Sequence, residues 1–234
     1  MLPIVVLSGG LATRMKPFTE NIPKSMIDVA GKPFIHWQLK MFKDKGIKDV
    51  ILCVGHLGEM IEEYVGNGAD YGLHLTYSYD GDKLLGTGGA IRKVGDNLPE
   101  SFFIQYGDSY LEISYTQVAD AFRNSGKTGL MTVYKNDDLY DSSNVVFENG
   151  NLLSYSKKNK TQQMHYIDYG LGILRKDAFD DFQDREVFDL ADVYERLATD
   201  EQLFGYEVYN RFYEIGSHDG LMELRDRIGV PIRE

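Results

Sequence analysis

Cysteine is nearly absent. Cys53 is the one thiol in 234 residues, so no internal disulfide can form and nothing asks for an oxidising compartment. It sits within the apolar run Val50 to Val54, which reads as a buried strand, and an inert core thiol is the expectation there. No apolar run approaches the roughly 20 residues that a membrane helix needs, and no signal-peptide pattern opens the chain. No membrane association is expected, and the cytoplasm is the expected location. A basic excess is missing too. With a formal net charge of −11 and a pI near 4.9, the chain lacks the basic stripe that a duplex or a long RNA would favour. His36, His56, His74, His165 and His218 show no metal-ligand spacing and join no Cys/His cluster. Ser8 lies on no Gly-x-Ser-x-Gly elbow. Zinc-enzyme and serine-hydrolase readings fail on these counts.

What is present suits a globular α/β protein. Ile4 to Leu7 reads as a buried strand that enters a glycine turn at Ser8-Gly9-Gly10. A helix from Pro33 to Phe42, a strand over Val50 to Val54, a helix over Leu57 to Tyr64 and a strand over Leu73 to Tyr79 follow. The alternation continues with a strand at Phe102 to Tyr106, a helix at Tyr115 to Phe122 and a strand at Gly129 to Tyr134. This order predicts a mostly parallel sheet with helices on both faces, a three-layer Rossmann-like α/β architecture. Asn144 to Glu148, Leu152 to Tyr155 and Tyr166 to Leu174 read as short strands in hairpins appended to that sheet, with Asn149-Gly150 as a turn. A helix at Leu190 to Thr199, a strand at Leu203 to Val208 and a helix at Gly220 to Ile228 end the chain. With no linker or repeat, residues 1–234 read as one domain.

The richest segment runs from Leu7 through Gly9, Gly10, Thr13 and Arg14 to Pro17, with Pro23-Lys24-Ser25 and Gly31-Lys32-Pro33 after it. Paired glycines at a strand end let backbone N–H groups approach phosphates, Arg14 offers a planar fork, and Lys24 a compact charge. The net acidity is no obstacle, since a few cations, a metal and backbone amides can hold one triphosphate. The glycine pair by itself is a plain strand-to-helix turn, because neither the Gly-x-Gly-x-x-Gly spacing nor a Gly-Lys-Ser/Thr ending is present.

The whole string, however, resembles the opening signature of the sugar-1-phosphate nucleotidylyltransferases. Gly9, Gly10, Thr13, Arg14, Pro17, Thr19, Pro23, Lys24, Gly31, Lys32 and Pro33 match it in fixed spacing, whereas Ala12 and Ser25 depart from it. The resemblance extends to Leu85-Gly86-Thr87-Gly88-Gly89-Ala90, like the family's second nucleotide-contact loop, and to Gly107-Asp108, like its metal-binding Gly-Asp. Tyr106 stands where the family often has asparagine. Glu214, in Tyr213-Glu214-Ile215-Gly216-Ser217, stands where an aspartate is common.

The resemblance implies transfer of a nucleotide from a nucleoside triphosphate to a sugar 1-phosphate, for glycan precursors. It assigns Arg14 and Lys24 to catalysis, and Leu7, Gly9, Gly10, Thr13, Gly86, Thr87 and Gly88 to the nucleotide. Asp108 and Glu214 fall to Mg²⁺. On the sugar-phosphate side it points to Asn144, Lys157 (with Lys158 as alternate), Asp168, Tyr169 and Gly170. A non-sugar phosphate acceptor such as phosphocholine, or a non-catalytic nucleotide-binding regulatory protein, are the rival readings. Base, sugar and any homo-oligomer stay open.

Overall fold

The structure is a computed structural model and describes residues 1–10, 15–148 and 150–229. Nine strands form one sheet: β1 (Ile4–Ser8), β2 (Asp49–Val54), β3 (His74–Tyr79), β4 (Ser101–Tyr106), β5 (Gly129–Lys135), β6 (Val145–Glu148), β7 (Asn151–Tyr155), β8 (Tyr166–Arg175) and β9 (Leu203–Val208). β3, β2, β1 and β4 are consecutive and parallel, with Val5 opposite Ile51 and Ile104. In chain order, a crossover containing a helix joins each of these strands to the next, as parallel pairing requires. Helices α1 (Phe34–Asp44), α2 (Gly58–Val65) and α4 (Tyr115–Ser125) cover one face, and α3 (Gly86–Lys93) with α5 (Leu190–Thr199) cover the other.

Strand periodicity sorts the core. Ile4, Val6, Leu52 and Val54 join the cluster with Leu39 and Phe42 of α1. Val5, Ile51 and Cys53 point the opposite way, toward Ile91 of α3 and Val193 of α5. Both faces are covered, so the central strands read as continuous apolar runs rather than alternating ones. Cys53 is 1% exposed, and burial together with the charge of Asp80 pushes its thiol up to about 12. It is an inert thiol at neutral pH. A third cluster, with Met15, Ile27, Phe34 and Leu224, seats α6 (His218–Gly229) beside the site end of the sheet.

The expectation of appended hairpins needs one correction. β8 is a ten-residue strand inside the sheet, antiparallel to β4 on one side and to β5 on the other. Its ladder with β5 shifts register between Asp168 and Gly172, where Gly170 takes φ +101°. That conformation is open to glycine, and such bulges re-aim neighbouring side chains. Only β6 and β7 form a peripheral hairpin, joined to β8 through Tyr166 and Val145. Asn149 of the expected turn lies outside the described residues. No helix among the described residues is long and apolar enough to cross a membrane.

Candidate active site

Four parallel strands end side by side, and the segments after them surround one cavity. Its lining includes Leu7 and Ser8 at the end of β1 with Gly9 and Gly10 after it, Asp80 after β3, and Gly107 and Asp108 after β4. Lys24 and Ser25 close one wall, and Leu84, Gly86, Thr87 and Ala90 another. This is the crevice beyond the carboxyl ends of the strands where open α/β sheets bind ligands. Added side-chain atoms at Gly10 would meet nothing within 4 Å, so its backbone borders open space. Thr13 and Arg14 lie outside the described residues.

Lys24 and Asp108 meet across the cavity. Lys24 Nζ donates to Asp108 Oδ2 at 2.8 Å, and both side chains stay partly exposed. Two buried amides fix the turn that carries Asp108. Gln38 Nε2 donates to the carbonyls of Tyr106 and Ser109 at 3.1 Å, and Gln105 Nε2 donates to Ser109 at 2.9 Å. Gln105 is held in turn by the hydroxyl of Tyr115. Sequence reasoning missed both glutamines. The signal was there for Gln38, a polar residue in the helical row Ile35, Leu39 and Phe42, and it is fully buried.

A short ribbon brings in Glu214. Tyr213–Glu214 pairs with Ser109–Tyr110, and Ile215 N donates to the Asp108 carbonyl at 3.0 Å. The position a Cβ would take on Gly216 lies 2.6 Å from Glu214 Oε2 and 3.3 Å from both Asp108 Oδ2 and Lys24 Nζ. The two carboxylates and the ammonium thus share one small volume. Glu214 also accepts from Gly216 N and, at 2.5 Å, from Ser217 Oγ, so its longer arm is folded back onto its own turn.

The chemistry of Asp108 and Glu214, two carboxylates close together, fits a hard divalent cation. Among the described residues no three His, Cys, Asp or Glu side chains converge as a metal cage. Mg²⁺, however, is commonly held by one or two carboxylates plus substrate phosphates, and Asp108 with Glu214 provides such a pair. Lys24 is the one cation among the described lining residues, beside two aspartates. A triphosphate there requires further positive charge.

The glycine-rich loop divides its work. Gly86, at φ +73°, and Thr87 line the cavity, whereas Gly88 faces away from it. Gly88 packs on the Phe188 ring, and the N–H groups of Gly88 and Gly89 donate to the Phe188 carbonyl. Presentation of the α3 N-terminus to a ligand is therefore restricted, because a protein acceptor already takes those donors. Thr87 caps α5 rather than its own helix: its hydroxyl accepts from Leu190 N at 2.8 Å and donates to Asp189 Oδ1 at 3.1 Å.

The residues expected on the sugar-phosphate side gather beyond Tyr106. Lys157 Nζ lies 3.5 Å from the Tyr106 hydroxyl, 5.3 Å from the centre of its ring, and 3.6 Å from Asp189. Lys158 turns outward to Asp192 instead. Asp168 accepts from Gly170 N at 3.0 Å and from the Tyr106 hydroxyl at 3.4 Å. Burial raises its carboxyl above the usual carboxylate range, with Lys157 opposing. Asn144 Oδ1 accepts from Asp168 N at 2.9 Å and so ties β8 to the neighbouring hairpin. The Tyr169 side chain is buried among Tyr134 and Phe212, in the cluster on the opposite face from Asp168. Asp189, the cap of α5, was not anticipated; an acid just before a helical run was its only signal.

Comparisons with known proteins bear on the family and the fold. A family model described as nucleotidyl transferase matches residues 4–229. A D-glycero-alpha-D-manno-heptose 1-phosphate guanylyltransferase of Campylobacter jejuni is 34% identical over 79% of this chain and 80% of its own length. A UTP–glucose-1-phosphate uridylyltransferase of Synechocystis is 27% identical over 82% of this chain; the match spans 54% of that relative's length. Among solved structures, a Bacillus anthracis protein described as a putative glucose-1-phosphate thymidylyltransferase superposes with a TM-score of 0.88. It is 18% identical, and the match covers 100% of this chain and 97% of that one.

Proposed function

This chain belongs to the nucleotidyl transferase family, and we propose that it moves a nucleoside monophosphate from a nucleoside triphosphate to a sugar 1-phosphate. The products are a nucleotide-sugar, a glycan precursor, and pyrophosphate. The observation that carries this reading is the meeting of Lys24, Asp108 and Glu214 at a glycine-bordered cavity beyond the strand ends.

A phosphate oxygen of the sugar 1-phosphate attacks the α-phosphorus, and the bond from that phosphorus to the bridging oxygen of the β-phosphate breaks. The attacking phosphate is already ionised, so no general base is needed. Such transfers depend on in-line positioning and neutralisation of charge. Gly9 and Gly10 let the triphosphate lie against backbone, and Arg14 adds a bidentate cation. Lys24 exchanges its contact with Asp108 for the α-phosphate as charge builds there. Asp108 and Glu214 would hold Mg²⁺, which supplies Lewis-acid polarisation of the phosphoryl oxygens when bound. Lys157 grips the phosphate of the incoming sugar, and Asp168, set by its bulge and by Asn144, accepts from sugar hydroxyls. Tyr169 contributes through its backbone alone.

The test is pyrophosphate release from each of four triphosphates against a panel of sugar 1-phosphates, with phosphocholine as a control acceptor. Release with sugar phosphates supports the proposal. Release with phosphocholine alone, or nucleotide binding without any turnover, would sink it.

A further inference from the structure

One buried carboxylate at the site has no role in the chemistry just described. Asp80 directly follows β3, and its N–H continues the ladder by donating to the Val54 carbonyl at 2.9 Å. The residue is 7% exposed, yet it lines the cavity. Its neighbours there include Gly9, whose Cβ position would lie 3.3 Å from Asp80 Oδ2, and the apolar groups Cys53, Leu84 and Ala90. Asp80 Oδ2 accepts from Leu85 N at 3.4 Å, a long contact. Asp80 Oδ1 is buried with no hydrogen-bond partner among the described residues. Lys93 Nζ reaches the backbone carbonyl of Asp80 at 2.8 Å.

A buried acceptor without a donor costs free energy and calls for an explanation. The cavity supplies one. Its Lys24–Asp108 side takes phosphates, so its apolar side takes the base, and the polar group waiting there is an acceptor with two oxygens in one plane. Of the nucleobases, guanine alone presents two adjacent donors, N1–H and the N2 amino group. Uracil and thymine set one N–H between two carbonyls. In cytosine and adenine the amino group sits next to an acceptor nitrogen, which a carboxylate repels.

We infer that Asp80 is the base-reading residue and that it selects guanine, accepting from N1–H and N2–H. The inference rests on the nucleotidyl-transfer reading and deepens it by naming the triphosphate as GTP. Burial raises the Asp80 carboxyl, with Lys93 opposing, as expected of an acceptor whose donor comes from a ligand. The competing role is purely local: Asp80 holding the Leu85 turn.

Calorimetric titration with Mg²⁺ present and no sugar phosphate separates these, whatever the sugar. The ligands are GTP, ITP (which lacks the N2 amino group), UTP and dTTP, added to the native chain and to Asp80→Asn. GTP should bind the native chain about 10- to 100-fold more tightly than ITP. In Asp80→Asn the gap between GTP and ITP should close, and UTP should gain relative to GTP, because an amide pairs one donor with one acceptor. Thermal unfolding checks that the variant folds; if it does not, the native GTP-to-ITP ratio decides alone. Tighter binding of UTP or dTTP than GTP, or an unchanged GTP-to-ITP ratio in a folded Asp80→Asn, would overturn the inference and leave nucleotidyl transfer standing. Failure to bind any triphosphate would overturn both.

Discussion

The ammonium of Lys24 lies 2.8 Å from Oδ2 of Asp108, across 84 residues of sequence. The pair joins the loop after β1 to the turn after β4, and under the proposed function the lysine changes partner when a phosphate arrives. Both side chains retain some solvent access, 19% and 29%, which tempers the pair's contribution to stability.

Lys24→Ala should therefore lower kcat/KM about 10²- to 10³-fold, the usual cost of losing one preorganised charge contact to a transition state. The melting temperature should barely move. Pyrophosphate release and thermal unfolding read the two effects, and near-native turnover in the folded variant would remove Lys24 from the mechanism.

Chelation should abolish turnover without unfolding the protein, since under the proposed function Asp108 and Glu214 supply only part of a coordination sphere. Glu214→Gln keeps the length and loses the charge, and should raise the Mg²⁺ needed for half-maximal rate about 10- to 100-fold. Glu214→Asp should retain partial activity, because the Gly216 and Ser217 contacts are built around the longer arm. Unchanged metal dependence in Glu214→Gln, beside a clear loss in Asp108→Asn, would leave Asp108 as the single protein ligand.

The two neighbouring lysines should behave differently. Lys157 stands over Tyr106 at the cavity side, whereas Lys158 pairs with Asp192 on α5. Lys157→Ala should raise KM for the sugar phosphate about 10- to 100-fold, the worth of a contact to a charged group, with little change for the triphosphate. Lys158→Ala should alter neither. Equal effects from both would place the sugar phosphate elsewhere.

Asp168 should make stability fall with pH. Burial raises its carboxyl in the folded state, so the fold holds that proton more tightly than the unfolded chain does. The stability this provides is complete below the ordinary carboxylate pKa and is lost as pH rises through the raised one. Asp168→Asn cannot ionise, and its melting temperature should gain on the native chain as pH rises above about 4, the ordinary carboxylate pKa. A constant gap across that rise would refute the assignment. Activity should drop in the same variant, because stability and function make opposite demands at such a site.

Much of this site can be read directly from local pattern. A glycine pair closing an apolar run, and Gly107-Asp108 closing another, put two ligand-facing turns at strand ends. Asp80 closes the strand before α3 in the same way, but no glycine precedes it to draw attention. Gln38 stands out in its apolar helical row and Gln105 does not, but the partner of both was opaque: they reach the Ser109 carbonyl, and nothing in their own neighbourhoods specifies that acceptor. Gly88 looked like part of a ligand loop, yet Phe188, a hundred residues later, takes its N–H.

The sequence by itself determined most of the strands and helices, α3 and the Tyr213–Glu214 strand excepted, because 2.0- and 3.6-residue periodicities are properties of neighbours along the chain. It also determined the lysine and carboxylates available for chemistry. Tertiary structure alone decided that β8 enters the sheet antiparallel between β4 and β5, since many strand orders satisfy the same hydrophobic pattern. That insertion sets Asp168 beside Tyr106, while the Tyr213–Glu214 ribbon sets Glu214 beside Asp108. Pairing of distant backbones is a matter of sheet register and loop closure, which side-chain spacing along the chain does not encode.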